Sequence, residues 1–101
     1  MNRISFSEKN EEKKPILIIY DISSSKRRNK ISKLLEGYGT RVQLSAFEIW
    51  INGSGIKNIW NDIYSIIDEK EDIVNLYFLN HFEKWSFGAD KTGRRIDIFI
   101  A

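Results

Sequence analysis

The sequence lacks cysteine entirely and contains only one proline, one methionine and one histidine in 101 residues. Without cysteine, the chain can form neither a disulfide nor a thiolate metal site. Its longest apolar runs are far too short to cross a bilayer, and residues 1–14 contain no apolar core of the kind found in signal peptides. We therefore expect a cytoplasmic protein that has no membrane partner.

The composition is typical of a single folded domain. Hydrophobic residues make up 42% of the chain and aromatic residues 13%, which is enough for one core at this length. We interpret residues 1–14 as a polar N-terminal arm and residues 15–101 as one domain. Because a chain of this size buries little beyond its core, a deep catalytic cleft would have to be completed by a second copy or a partner.

Positive charge is concentrated between residues 22 and 41, although the net charge of the chain is only +2. This segment has six basic residues and one acidic residue, a local charge of +5: Lys26, Arg27, Arg28, Lys30, Lys33 and Arg41 against Glu36. Such a patch indicates a polyanion partner such as RNA or DNA, although a solvated helix face is the more common explanation.

Hydrophobic periodicity predicts the order of strands and helices. The segment "ILIIYDI" (16–22) is apolar on both alternating faces, as in a central strand, and Ser24 or Ser25 can cap the helix that follows. Two short strands with a turn near Leu44 and Ser45, a helix over about 54–69 and a strand over 73–79 come next. We interpret 83–95 as a loop and 96–100 as a terminal strand. This order predicts an α+β fold, a ferredoxin-like βαββαβ sandwich with an extra C-terminal strand.

Both helices of such a fold lie on one face of the antiparallel sheet, which leaves the other face bare. Since the first strand is apolar on both faces, the bare face must be covered by a second subunit or by stacked bases. We therefore expect a homodimer, with the terminal strand paired to an exposed sheet edge of the same subunit or of its neighbour.

Asp21 lies where the first strand ends and the basic segment begins. The common explanation is that its carboxylate caps the serine turn or pairs with Arg27 or Arg28. The alternative is a hard divalent cation such as Mg²⁺, which prefers carboxylate and water oxygens. A two-fold homodimer would place two copies of Asp21 near its axis, where one ion shared across the dimer could activate water against a phosphodiester.

The segment "LIIYDISSSKRRNKISKLLEGYGTRVQLSAFE", Leu17 to Glu48, joins Tyr-Asp-Ile, a basic helix ending in Tyr-Gly, and Arg-Val-Gln-x-Ser-x-Phe-Glu. In this combination it resembles the CRISPR-associated Cas2 family, the small core subunit of CRISPR adaptation. The resemblance implies a ferredoxin-like homodimer locked by its terminal strands, with Asp21 of each chain near one Mg²⁺ ion. It also makes Tyr20 and Asp21 the candidate catalytic residues, with Asp21 as the metal ligand.

The charge distribution and the resemblance together predict a nucleic-acid-binding surface. Its candidate residues are Lys26, Arg27, Arg28, Lys30, Arg41 and Phe47. Lys30 departs from the family pattern, in which we expect arginine, and lysine keeps the charge but loses the bidentate geometry toward phosphate. Phe47 could stack on bases, but aromatic strand residues more commonly lie in a core or a dimer interface.

Members of the family are described both as Mg²⁺-dependent endonucleases on RNA or DNA and as non-catalytic bridges between integrase dimers that insert new spacers in antiviral defence. The resemblance therefore implies a nuclease or, alternatively, a DNA-bridging partner of the CRISPR integrase subunit. A generic RNA-binding module is a third alternative, although the aromatic octapeptide of an RNA-recognition motif is missing. His81 is a weak general-base candidate, and we predict that Trp85 and Phe87 dock on a partner subunit or integrase.

Overall fold

The computed structural model describes residues 12–80 and 83–88. They form the elements β1 (Lys14–Asp21), α1 (Ser25–Glu36), β2 (Thr40–Gln43), β3 (Ala46–Ile51), α2 (Gly53–Ile66), β4 (Ile73–Phe78) and β5 (Glu83–Phe87). The strands make one sheet in the order β2-β3-β1-β4-β5, in which all neighbours are antiparallel. This confirms the predicted ferredoxin-like βαββαβ plan, with β1 at the centre of the sheet.

The core lies between both helices and one face of the sheet. Along β1, Ile16, Ile18 and Tyr20 are buried, whereas Leu17 and Ile19 on the opposite face are only half-buried. The buried residues pack against apolar helix positions, namely Ile31 and Leu35 of α1 and Ile56, Ile59 and Ile63 of α2. Each such side chain contributes ~1.5–3 kcal/mol when fully buried, so the helix-bearing face supplies most of the stability.

Side-chain caps begin both helices. Ser24 Oγ accepts a hydrogen bond from the Arg27 N–H at 3.2 Å, which confirms one of the two predicted caps of α1, and Asn52 Oδ1 accepts one from the Gly55 N–H at 2.8 Å. α2 ends at Ile66, before the predicted end near residue 69, because Ile67 has an extended backbone with φ −79° and ψ 163°. Within residues 12–80 and 83–88, neither helix has the length and apolar character needed to span a membrane.

A strand occupies residues 83–87, where the sequence predicted a loop. β5 pairs with β4 so that Trp85 lies opposite Leu76 and Phe87 opposite Val74, on the helix-bearing side of the sheet. There the ring of Phe87 stacks on Trp60 with centroids 4.2 Å apart, and Trp85 meets Trp60 edge-on at 5.8 Å. The loop prediction is wrong, because these residues form a strand. Trp85 and Phe87, which we expected to dock on a partner, pack against Trp60 of their own chain and remain half-buried.

Several predicted features lie at or beyond the edge of the described residues. β1 begins at Lys14, one residue before the predicted start of the domain at Pro15. Residues 1–11, His81 and the terminal strand predicted over 96–100 lie outside the described residues.

Gly39 approaches β3 so closely that a Cβ atom there would overlap the Glu48 carbonyl oxygen and the Ile49 side chain. Gly37 is a matched control, because its Cβ position has one neighbour, the Leu34 carbonyl oxygen at 3.4 Å. We expect Gly39→Ala to lower the free energy of unfolding by ~1–3 kcal/mol, as overpacking does, and Gly37→Ala to change it little. Urea denaturation followed by circular dichroism measures both, and equal stabilities would contradict the steric explanation.

Candidate metal and nucleic-acid site

Asp21 is the last residue of β1, where it lies opposite Ile73 of β4. Its side chain is exposed, and because strand residues alternate, it projects from the helix-free face while Tyr20 projects into the core. Among the described residues, no hydrogen bond or ion pair engages the Asp21 carboxylate. The predicted pairing with Arg27 or Arg28 is therefore wrong, and the carboxylate is available to a ligand.

Tyr20 is buried, with 3% of its surface exposed. Its hydroxyl donates a long hydrogen bond of 3.4 Å to the Leu44 carbonyl oxygen, and its ring stacks near Phe47 with centroids 6.4 Å apart. The structure therefore does not place the Tyr20 side chain beside the Asp21 carboxylate. Because Tyr20 is buried, its hydroxyl cannot contact a substrate. Its geometry supports a packing role, fixing the turn between β2 and β3, in place of the predicted catalytic one.

Phe47 has no exposed surface. The prediction that Phe47 stacks on bases is wrong, because a fully buried ring on the helix-bearing face cannot contact a nucleobase. The Arg41 guanidinium lies 5.0 Å from the Phe47 ring centroid and covers it from solvent. Arg41 also donates to the Leu44 carbonyl oxygen at 2.6 Å, to Ser32 Oγ and to Glu36 at 3.2 Å, so it ties the turn after β2 to α1.

Arg27 forms an ion pair with Asp72, a residue that the sequence analysis missed. Arg27 Nε donates to Asp72 Oδ2 at 2.7 Å and its Nη2 donates to Oδ1 at 3.1 Å. Asp72 is 1% exposed, and its carboxylate also accepts hydrogen bonds from the N–H groups of Ser23 at 3.1 Å and Asp68 at 2.9 Å. Arg27 is thus committed to the fold rather than presented to a polyanion.

The charge of Asp72 is stabilised by these donors. Burial acts to raise the pKa of Asp72, but the hydrogen bonds from Arg27, Asp68 and Ser23, together with the Arg27 charge, lower it to about 2. The same pair raises the pKa of Arg27 through its hydrogen bond to Asp72. A signal for this contact exists in the sequence, since antiparallel pairing puts the residue before β4 beside the end of β1.

The remaining basic residues of α1 divide into two groups. Arg28 Nη1 donates to the Ile22 carbonyl oxygen at 2.8 Å, which keeps its exposed guanidinium close to the residue after Asp21. Lys26, Lys30 and Lys33 are exposed and, in the part of the chain that the structure describes, have no hydrogen-bonding or ionic partner. Among the described residues, the charges of α1 that have no protein partner are therefore those of lysines.

A metal ion at Asp21 would find only part of its ligand set in one chain. Among residues 12–80 and 83–88, no three acidic or histidine side chains lie close enough together to hold an ion. Mg²⁺ fits this arrangement, because it commonly takes one or two carboxylates and keeps several water ligands. One such carboxylate per chain suits an ion that is shared with a second copy of the chain.

The central strand ends in a free carboxylate, and a cationic helix follows it at the same end of the sheet. These features define a ferredoxin-like protein with a candidate metal ligand beside a candidate polyanion-binding surface. The family model described as CRISPR associated protein Cas2 matches residues 14–87. Because the match spans most of the chain, the protein belongs to the Cas2 family.

Relatives and solved structures agree with this assignment. The CRISPR-associated endoribonuclease Cas2 3 of Chloroflexus aurantiacus is 38% identical over 64 residues, 63% of this chain and 69% of that protein. The CRISPR-associated endonuclease Cas2 of Halalkalibacterium halodurans is 34% identical over 71 residues, 65% of this chain and 74% of that protein. A chain of the solved partial Cas6-RT-Cas1–Cas2 complex has a TM-score of 0.58 and 34% identity, over 66% of this chain and 79% of that chain.

We expect the Arg27→Gln substitution to raise the pKa of Asp72 from its value of about 2. The folded-state pKa lies below the unfolded value of about 3.9, so this carboxylate stabilises the fold above that pH. Its contribution, about 2–3 kcal/mol, is lost as the pH falls toward 2. In Arg27→Gln the loss should begin at higher pH. A carboxyl NMR titration measures the pKa, with Arg28→Gln as control, and an unchanged Asp72 pKa in Arg27→Gln would contradict the assignment.

Proposed function

We propose that the protein is a homodimeric, Mg²⁺-dependent endonuclease that hydrolyses RNA or DNA phosphodiesters and takes part in spacer acquisition during antiviral defence. The observation that carries this proposal is the exposed Asp21 carboxylate at the end of the central strand. It stabilises no other described part of the fold, which favours a role in binding. The names of two relatives, an endoribonuclease and an endonuclease, support the same activity.

The helix-free face of the sheet supports the homodimer. Leu17 and Ile19 of β1 are half-buried on this face, and Trp50 of β3, opposite Pro15, is 60% exposed. An exposed tryptophan beside aliphatic side chains is typical of a protein interface. Two-fold pairing of these faces would bring the two copies of Asp21, which project from the same face, close to the axis.

The arrangement suits hydrolysis of a phosphodiester. Two Asp21 carboxylates would hold one Mg²⁺ ion, which when bound supplies Lewis-acid charge to a phosphoryl oxygen and lowers the pKa of water. Arg28, which is held at the Ile22 carbonyl, and the exposed Lys30 would bind phosphate oxygens and stabilise the negative charge that develops in the transition state. The chain's own residues would therefore bind the nucleic acid, orient its phosphate group and stabilise the negative charge of the transition state.

We expect Asp21→Ala to reduce Mg²⁺-dependent cleavage of labelled single-stranded RNA or duplex DNA by at least about 100-fold, because the metal ligand is lost. Asp62→Ala is the matched control, since Asp62 is an exposed aspartate on α2, away from the end of β1. Light scattering must show a dimer for wild type and both variants.

Equal cleavage by wild type and Asp21→Ala would trace the activity to a contaminant and contradict the proposal. A monomeric wild-type protein would contradict the shared ion. Absence of cleavage in all three proteins, with duplex binding retained, would overturn the nuclease and favour the second function below.

A second function is a non-catalytic bridge that holds duplex DNA for the CRISPR integrase subunit. The exposed row of Lys26, Lys30 and Lys33 supports it, because their spacing places them along one side of α1. Lysines without protein partners bind phosphates as point charges and carry little sequence preference. Similarity to a chain of a Cas1–Cas2 complex is consistent with an integrase partner.

We expect duplex DNA binding to weaken steeply as the salt concentration rises. The double substitution Lys26→Gln and Lys30→Gln should reduce the slope of log K against log salt by about 1.8, because two phosphate contacts are lost. The same change at Lys14 and Lys57, which lie at the start of β1 and on α2, is the control. Fluorescence anisotropy at several salt concentrations measures the slopes. If both double variants reduce the slope equally, the row on α1 is not the binding surface.

A further inference from the structure

Strand pairing holds the end of β1 on one side only. On the β3 side, strand pairing ends with Ile19 opposite Ala46, and one further hydrogen bond joins the Tyr20 N–H to the Ser45 carbonyl oxygen at 3.0 Å. On the β4 side, Asp21 itself lies opposite Ile73. The direction in which Asp21 leaves the sheet therefore depends on the start of β4.

Asp72 stands at that position, directly before Ile73. Its Oδ1 accepts hydrogen bonds from the N–H of Ser23 at 3.1 Å and from the Ser23 hydroxyl at 3.4 Å, two residues after Asp21. Both of its oxygens accept from Arg27 in the first turn of α1, and Oδ2 accepts from the Asp68 N–H at 2.9 Å. One buried carboxylate thus joins the chain after Asp21, the start of α1 and the loop before β4.

The backbone of Asp72 has contacts of its own. Its N–H donates to the Asp68 carbonyl oxygen at 2.8 Å. Gly88, directly after β5, has φ +92°, and a Cβ atom there would overlap the Asp72 carbonyl oxygen, so the end of β5 lies against the Asp72 backbone.

We infer that Asp72 is a positioning residue that fixes the segment after Asp21 and thereby holds the Asp21 carboxylate at the sheet face for Mg²⁺. The inference rests on the proposed function of Asp21 as metal ligand. Asp72 acts through Ser23 and Arg27 and does not itself touch the ion. Loss of such supporting contacts typically weakens metal binding by 10–100-fold, about the effect expected here.

Asp72→Asn tests this inference, because it keeps the size of the side chain but replaces one acceptor oxygen with an amide NH2 group, a donor that would face the N–H donors now bound by Asp72. We expect faster amide hydrogen exchange at Ser23, a shifted Asp21 amide resonance, and an increase of about tenfold or more in the Mg²⁺ concentration that half-saturates the Asp21 signal. Arg27→Lys keeps the positive charge without the fork of two N–H donors, so it should have a smaller effect. It also serves as the test if Asp72→Asn does not fold, and Asp62→Asn is the control.

The outcomes separate this inference from the function on which it rests. A lower melting temperature with wild-type Ser23 exchange and wild-type half-saturation would show that Asp72 is merely structural and would overturn the inference. If Mg²⁺ leaves the Asp21 resonance of the wild type unmoved, the metal function fails. In that case, a shifted Asp21 resonance and faster Ser23 exchange in Asp72→Asn would still support the positioning, and their absence would refute it.

Discussion

The two-residue period of β1 is the constraint on which the rest of the molecule depends. It sends Ile16, Ile18 and Tyr20 into the core and places Asp21 on the opposite, helix-free face. A slip of one residue would bury the aspartate and expose the tyrosine, which would remove both the core and the candidate site. Antiparallel neighbours on both sides fix this register, so that a stable fold and a free carboxylate result from the same strand pairing.

Arginine and lysine differ in their contacts within this protein, although both contribute to the basic segment. Arg27, Arg28 and Arg41 each donate to oxygen atoms of their own chain, and their planar forks suit such fixed geometry. The lysines of α1 have no such partners among the described residues. A surface made of compact, strongly hydrated charges recognises the backbone of a nucleic acid rather than its bases, which agrees with both functions considered for this protein.

Local patterns and the order of the elements were predicted from the sequence, whereas two long-range features, the pairing of β5 with β4 and the contacts of Asp72, were missed. The central strand, the Ser24 cap and the turn at Leu44 and Ser45 follow from neighbouring residues, and the structure contains all three. β5 was missed because its short alternating run next to a glycine resembles a loop until it is paired with β4. Asp72 was missed because its partners Ser23 and Arg27 lie 49 and 45 residues away, and a charged run before a strand usually indicates solvent exposure.

The aromatic rings also give the molecule an optical asymmetry. Two of its three tryptophans, Trp60 and Trp85, lie within 5.8 Å of each other where β5 meets α2, and the third, Trp50, is exposed on the helix-free face. Coupled indole rings produce near-ultraviolet circular dichroism, whereas an isolated exposed indole emits at long wavelength. In the unlabelled protein, the pairing of β5 with β4 therefore affects the near-ultraviolet circular dichroism. Covering of the helix-free face affects the emission of Trp50.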